Sequence, residues 1–206
     1  MKYHQIDKNL FINNRKRFIK CLDKNSLAVF NSNDIYNTGA DSTLPFVQHR
    51  DIFHLCGVDQ EESILVIFPD CNNESHREIL FLKETNEQIA VWEGEKLTKE
   101  KAFETSGIKT VYWLDQFESI FRQLVIESEQ VYLNSNEHLR TNNVMQTRED
   151  RFVERFKKDF IDAVSSITIG ETPAVGSSSN SIFGFVINAL ATATCCLCPP
   201  DNSPAG

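Results

Sequence analysis

Apolar and polar positions follow two different periods along the first 160 residues of the chain. Apolar residues recur at helical spacing most clearly in residues 115–128, where Phe117, Ile120, Phe121 and Leu124 fall on one side of a helix. Similar spacing or capping signals predict further helices at residues 7–23, 98–107 and 147–160. The apolar side predicted for the first of these consists of Leu10, Phe11, Phe18 and Leu22. The expected N-caps of the first two are Asp7 and Thr98, and Gly107 is the expected C-cap of the second.

Short apolar runs lie between these helices and predict strands at residues 26–30, 63–68, 77–82, 110–114 and 131–134. The run SILVIF at 63–68 has no polar alternation, which is typical of a central strand covered on both faces. Residues 31–45 are dense in turn-forming residues and predict a loop. Strands that alternate with helices indicate an α/β fold, a mixed β-sheet flanked by helices.

Composition narrows the function classes. The hydrophobic content of 41% is sufficient for a buried core, while a net charge of -8 and a pI near 5.2 argue against nucleic-acid binding. The basic run at residues 14–20 is interpreted as the solvated face of a helix rather than a membrane-binding surface. The N-terminus has no apolar segment typical of a signal peptide, so we expect a cytoplasmic protein without disulfides.

Charge changes abruptly near residue 160. Only three charged residues follow it, Asp162, Glu171 and Asp201, in a segment rich in Ser, Ala, Thr and Pro. We therefore predict a domain over residues 1–160 and an irregular or disordered low-charge tail over 161–206. Alternatives for the tail are a short membrane anchor at 182–198 and a metal or lipidation site at its three cysteines.

Residue patterns alone do not assemble a catalytic set. The sequence lacks phosphate-loop, dinucleotide, nucleophile-elbow and H-E-x-x-H motifs. His49 and His54 lie five residues apart around a predicted loop-to-strand junction. Two imidazoles there could ligate a metal, but strand geometry would point them to opposite faces, which argues against a metal site. The acidic group at residues 59–62 is interpreted as solvated. Cys56 is interpreted as a small buried side chain rather than a reactive thiol.

A series of short motifs resembles the amino-terminal domain of the Xaa-Pro aminopeptidases (aminopeptidase P), in the creatinase-like metallopeptidase family. Each motif is weak alone, but their order and spacing over residues 3–155 are specific. The matching residues are Asn14, Arg15 and Phe18; Ala28, Val29 and Phe30; Ala40 and Asp41; Pro45, Phe46 and Gln48; Asp51, Phe53, Leu55 and Gly57; Glu62, Leu65 and Pro69; Ile79 to Leu82; Trp92, Gly94 and Leu97; and Gly107.

The resemblance implies a creatinase/prolidase amino-terminal domain with a ribonuclease H-like motif, in which residues 51–57 form an aromatic-rich strand ending in glycine. It further implies a two-domain, manganese-dependent enzyme that removes N-terminal residues preceding proline. In that family, two Asp, one His and two Glu of a carboxy-terminal domain hold two manganese ions. None of the five has a counterpart in this chain, so we expect no catalytic residue, no bound metal and no activity alone.

The family's amino-terminal domain helps to wall the substrate cleft and contributes oligomer contacts. Asp41 and Trp92 occupy the positions that approach the cleft; a turn-forming Asp and a packing Trp are the alternative interpretations. The sequence departs from the family pattern at four positions, Val47, Arg50, His54 and Cys56.

Three functions remain open at this level. The first is a truncated or frameshifted peptidase domain, and the second is a stand-alone module that forms homo-oligomers or pairs with a full-length enzyme. The third is a tail-anchored protein, although a membrane association is not favoured.

Overall fold

The computed structural model describes residues 6–86, 88, 91, 94, 96–134 and 146–161. The predicted tail therefore lies outside the described residues, apart from Ile161. The elements in chain order are α1 (Lys8–Ile19), β1 (Ser26–Asn31), β2 (Asn37–Gly39), β3 (Ser42–Thr43), α2 (Arg50–Cys56), β4 (Ile64–Ile67), β5 (Glu78–Leu82), α3 (Lys99–Ser106), β6 (Thr110–Trp113), α4 (Phe117–Glu127), β7 (Gln130–Leu133) and α5 (Arg148–Phe156). Short 3-10 helices occupy Glu74–His76 and Leu114–Gln116, and a π-helical turn at Lys157–Ile161 follows α5.

Five of the strands form one mixed sheet in the order β6-β5-β4-β1-β7. The three central strands are antiparallel, with β4 between β1 and β5, and each outer strand is parallel to its neighbour. The predicted mixed sheet is confirmed. The central position predicted for the SILVIF run is confirmed too, because all four residues of β4 are buried.

Helices cover both faces of the sheet and enclose two apolar clusters. Alternate residues of β1 point to opposite faces, so that Ala28 and Phe30 join one cluster while Leu27 and Val29 join the other. The first cluster packs beneath α1, α2 and α3, and the second beneath α4 and α5. This three-layer arrangement explains why every residue of β1 is buried.

The helix boundaries follow the capping signals in the sequence. The side chain of Asp7 accepts a hydrogen bond from the Asn9 amide at 2.9 Å, and Thr98 accepts one from Lys101 at 3.3 Å. Gly107 ends α3 in the left-handed conformation, with φ of 73°. These three predicted caps are confirmed, although α1 ends at Ile19, earlier than the periodicity predicts.

The aromatic-rich strand expected at residues 51–57 is wrong, because these residues form the helix α2. Its buried residues Ile52, Leu55 and Cys56 have the i, i+3, i+4 spacing of a helix face. The side chain of His49 caps the start of the helix, and Gly57 ends it with φ of 71°. Two capping residues with seven residues between them favour about two helical turns over a strand.

The loop predicted at residues 31–45 contains the two-stranded hairpin β2–β3, so the prediction is wrong at its centre. The Leu44 amide donates to the Tyr36 carbonyl at 2.9 Å and continues the pairing beyond β3. Positive φ angles of 150° at Gly39 and 42° at Ala40 reverse the chain. Turn-forming residues therefore mark a hairpin turn rather than an unstructured connection.

The basic run at residues 14–20 is not wholly solvated, because Asn14 and Arg15 are buried. Arg15 is 1% exposed, and its Nη1 donates to the carbonyls of Leu55 at 2.9 Å and Ser106 at 3.0 Å, near the ends of α2 and α3. Its Nε donates to Glu78 at 2.9 Å. One guanidinium thus satisfies carbonyls at two helix C-termini, where a cation also complements the helix dipole.

Two smaller expectations are also corrected. Leu10 is 48% exposed and does not join the apolar side of α1. Glu61 is not solvated, because its carboxylate pairs with Lys96 and both side chains are mostly buried. The neighbouring Glu62 pairs with Lys83 at 3.1 Å on a more exposed part of the surface.

Candidate functional site

A projecting hairpin, called here the arm, comprises residues 32–48 between β1 and α2. All residues from 35 to 45 are exposed, although the stretch contains large apolar side chains. Asp41 lies at the turn between β2 and β3 and is exposed. Trp92, the other predicted cleft residue, lies outside the described residues. The structure therefore places Asp41 at the tip of the arm.

The exposed apolar residues of the arm form its most unusual surface feature. Their exposed fractions range from 42% to 70%, and the residues are Ile35, Tyr36, Leu44 and Val47. Contiguous exposed apolar surface is typical of sites that contact other macromolecules or ligands. The arm therefore combines an acidic tip with apolar flanks.

Polar contacts fix the base of the arm to the sheet. Asn33 Nδ2 donates to the Val47 carbonyl at 3.0 Å and joins the two ends of the arm. Ser32 is bonded to Ser63 through the Ser32 amide, which donates to the Ser63 carbonyl at 2.9 Å. Asp34 pairs with Arg151 of α5 at 2.7 Å. An exposed arm on a fixed base can present its tip at a defined position.

Gln48 completes the base through its buried side chain. Its Nε2 lies within hydrogen-bonding distance of the carbonyls of Val58, at 3.0 Å, and Gln60, at 2.9 Å. Its Oε1 accepts from the His49 amide at 2.8 Å. The buried side chain of Gln48 therefore links the segments before and after α2.

A chain of buried polar groups lies where the parallel strands β1 and β7 end. The Asn31 amide donates to Asn134 Oδ1 at 3.2 Å, and Asn134 Nδ2 donates to Glu149 Oε2 at 3.0 Å. The same carboxylate oxygen lies 3.1 Å from His49 Nε2. These contacts connect the sheet, the first turn of α5 and the start of α2. No local sequence pattern reveals this connection, because His49 and Glu149 are separated by 100 positions.

His49 has an acidic group near each ring nitrogen. Its Nδ1 accepts from the Asp51 amide at 3.3 Å and lies 3.8 Å from Asp51 Oδ2. Burial by itself lowers the pKa of His49, but the hydrogen bond to Glu149 and the negative charges of Asp51 and Glu149 outweigh it and raise the pKa. Burial in turn raises the pKa of Asp51.

The geometry of this cluster favours proton binding over metal binding. The carboxylates of Asp51 and Glu149 lie at opposite nitrogens of His49, so the three groups do not converge on one point. Within the part of the chain that the structure describes, no group of three or more His, Cys, Asp or Glu side chains is arranged to hold a metal ion. The donor set does not fit a dinuclear metal centre, which needs several convergent carboxylates and imidazoles.

The remaining candidates for chemistry are structural or peripheral. Cys56 is fully buried, and burial raises the pKa of its thiol to about 12, which confirms the interpretation of an unreactive side chain. His54 lies in the last turn of α2, at the other end from His49, and burial together with the charge of Arg17 lowers its pKa. Among the described residues, no helix has the length and apolarity to span a membrane.

Comparison with curated proteins identifies similar sequences in mammals. The chain is 27% identical over 103 residues to Xaa-Pro aminopeptidase 3 of Homo sapiens and of Mus musculus. Each match covers 49% of this chain and 20% of the relative. The chain thus spans about a fifth of the length of these relatives.

Solved structures share the fold. An aminopeptidase P from Bacillus anthracis superimposes with a TM-score of 0.68 at 23% identity, covering 76% of this chain and 37% of that protein. The low-pH form of aminopeptidase P from Escherichia coli gives 0.63 at 19% identity, covering 78% and 34%. The family model described as the aminopeptidase P N-terminal domain matches residues 11–132, more than half of the chain. This chain therefore belongs to the aminopeptidase P N-terminal domain family.

Proposed function

We propose that this chain acts as the N-terminal domain of an Xaa-Pro aminopeptidase, which removes N-terminal residues preceding proline. The observation that carries the proposal is the family match over residues 11–132, which includes the arm and most of the sheet. In this proposal the domain shapes one wall of the substrate cleft and contributes oligomer contacts. The domain spans residues 1–160, and the protein acts in the cytoplasm.

The arm is the part of the domain that we assign to these contacts. Its apolar flanks are exposed, whereas its base is held by buried hydrogen bonds and by the pair between Asp34 and Arg151. A rigid base and an exposed apolar surface favour a preformed contact surface, since little conformational entropy is lost on binding. Asp41, at the tip, is assigned to the cleft; we assign Trp92 to the cleft on the sequence motif alone.

The manganese chemistry of the proposed enzyme belongs to a separate catalytic half. The described residues of this chain have no convergent donor set, and the one cluster of imidazole and carboxylates surrounds a histidine instead of an open position. We therefore propose that the chain by itself neither binds two manganese ions nor cleaves peptides.

Two measurements test this function. The purified chain is assayed on a peptide with proline at position two, with and without added manganese, and no turnover above background is expected. The chain is then mixed with a separately produced catalytic half of an aminopeptidase P, and activity is expected to rise above that of the catalytic half alone. Turnover by the chain alone refutes its inactivity, and a mixture no more active than the catalytic half counts against the supporting role.

A matched pair of variants locates the contact. Leu44→Ser on the arm is expected to reduce complementation by the mixture, because it removes exposed apolar contact surface. Ile126→Ser on α4 is the control, since this side chain is 74% exposed but lies away from the arm. Equal effects of the two substitutions would contradict the assignment of the arm.

The alternative is a stand-alone binding or oligomerisation module without a peptidase role, and the exposed apolar arm favours it as well. Sedimentation of the chain at several concentrations separates the two functions. Self-association that Leu44→Ser abolishes, combined with no complementation of a catalytic half, supports the module. Complementation supports the peptidase domain whether or not the chain self-associates.

A further inference from the structure

His49 is held between two helices that are distant in sequence. On one side its Nδ1 accepts from the Asp51 amide and caps α2, and on the other its Nε2 lies 3.1 Å from Glu149 in the first turn of α5. The side chain of Glu149 is 7% exposed, and Asn134 donates to the same oxygen. If the imidazole moves away, little water can therefore reach the Glu149 carboxylate to replace the lost contact.

The proton on His49 changes both contacts. The neutral ring with hydrogen on Nε2 donates to Glu149 and keeps Nδ1 free to accept from the Asp51 amide. Protonation adds hydrogen to Nδ1, which removes that acceptor but places a positive charge 3.8 Å from Asp51 Oδ2. The charged ring then lies between the carboxylates of Asp51 and Glu149. Protonation therefore replaces the hydrogen bond that caps α2 with an ionic interaction to both carboxylates.

We propose that His49 is a pH-dependent clasp between α5 and the start of α2, which is strengthened when the imidazole is protonated and weakened, although still hydrogen-bonded to Glu149, when it is neutral. α5 is the last α-helix among the described residues, and it also carries Arg151, whose partner Asp34 lies at the base of the arm. The clasp therefore sets how firmly both α5 and the arm base are held.

The neighbouring charges determine the sign of the effect. Asp51 and Glu149 favour the imidazolium from α2 and α5, Arg50 opposes it from α2, and Asn134 adds no charge. Burial and Arg50 lower the pKa of His49, but the hydrogen bond and charge of Glu149 and the charge of Asp51 outweigh them and hold the folded-state pKa above its ordinary value, so protonation stabilises the folded contact. This stabilisation is complete below the unfolded pKa and is lost as pH rises through the folded pKa. Burial also raises the folded-state pKa of Asp51, so its contribution to stability likewise falls as pH rises, but over a lower pH range than that of His49.

Hydrogen exchange of the α5 amides in the full chain tests the clasp. After correction for intrinsic exchange, the opening constant of α5 is expected to rise about fivefold between about pH 5 and about pH 8, the factor given by a partly exposed ion pair. His49→Asn keeps a good N-cap but cannot be protonated, so α5 opening in this variant is expected to be independent of pH. Amides of α3 serve as an internal reference.

A matched control and a direct titration complete the test. His54→Gln, on the same helix, is expected to leave the pH dependence of α5 unchanged. Nuclear magnetic resonance titration of wild-type protein is expected to give His49 a higher pKa than His54, and Glu149→Gln is expected to lower the pKa of His49. A pH-independent α5 in wild type, a retained pH dependence in His49→Asn, or a His49 pKa unaffected by Glu149→Gln would overturn the proposal.

Discussion

Replacing Arg15 with methionine is expected to destabilise the domain severely while leaving its apolar packing largely intact. The substitution keeps a long side chain in α1 but removes every polar contact of the guanidinium. It leaves the carbonyls of Leu55 and Ser106, at the ends of α2 and α3, without their buried donor. Glu78 loses its partner as well, but its side chain is 31% exposed and can be hydrated.

The magnitude follows from these contacts. Removing one partner of a buried charged network costs about 3–5 kcal/mol. Because Glu78 can reach water, the lower part of this range applies, and we expect the free energy of unfolding to fall by about 3 kcal/mol. Arg15→Lys is expected to recover only part of this loss, since a single ammonium cannot reproduce the planar fork that reaches three acceptors.

Chemical denaturation followed by circular dichroism measures the effect. Arg17→Met is the matched control, because this arginine lies two positions away on the exposed side of α1; its replacement is expected to change stability by less than about 0.5 kcal/mol. If Arg15→Met and Arg17→Met destabilise the domain equally, or if Arg15→Lys matches wild type, the role assigned to the guanidinium is refuted.

Two further predictions concern α2. Gly57→Ala is expected to destabilise the domain more than Gly94→Ala in denaturation experiments. Both glycines have positive φ, so both substitutions strain the backbone. Only at Gly57 would the added Cβ also lie 2.2 Å from the Phe11 ring, whereas the space around Gly94 is open. Equal losses would show that backbone strain alone decides the cost. Cys56 is expected to react with a thiol reagent only on unfolding, whereas the partly exposed Cys21 reacts in the native protein, and modification of Cys56 as fast as that of Cys21 would contradict its burial.

Much of the sheet could be predicted from the sequence because its strands are short, continuous apolar runs between capped helices. α2 could not, because a seven-residue helix has too few turns to show a clear period. Its start depends on His49, an uncommon cap, and its face is recognisable only from what it buries. The hairpin was hidden for a similar reason, since its residues carry turn signals but no buried face.

The candidate site, too, has features that the sequence predicts and features that it does not. The sequence motifs indicated the family and pointed to Asp41, but no local pattern shows that Asp41 is at the tip of an exposed arm. Gln48 and Arg15 belong to matching motifs as well, yet both are buried side chains that hydrogen-bond to backbone carbonyls of other segments. A motif residue can therefore be recognised from the sequence, but its physical role depends on which backbone carbonyls of other segments its side chain contacts.

The sequence by itself determined the class of fold, the main strands and three of the helix caps, because local spacing and capping chemistry depend on neighbours a few residues apart. Only the tertiary structure decided that Arg15 joins the ends of two helices, that His49 meets Glu149, and that apolar residues of the arm stay exposed. These contacts join residues 40 to 100 positions apart. Burial and electrostatics act through space, so their outcome was fixed only when the helices packed on the sheet.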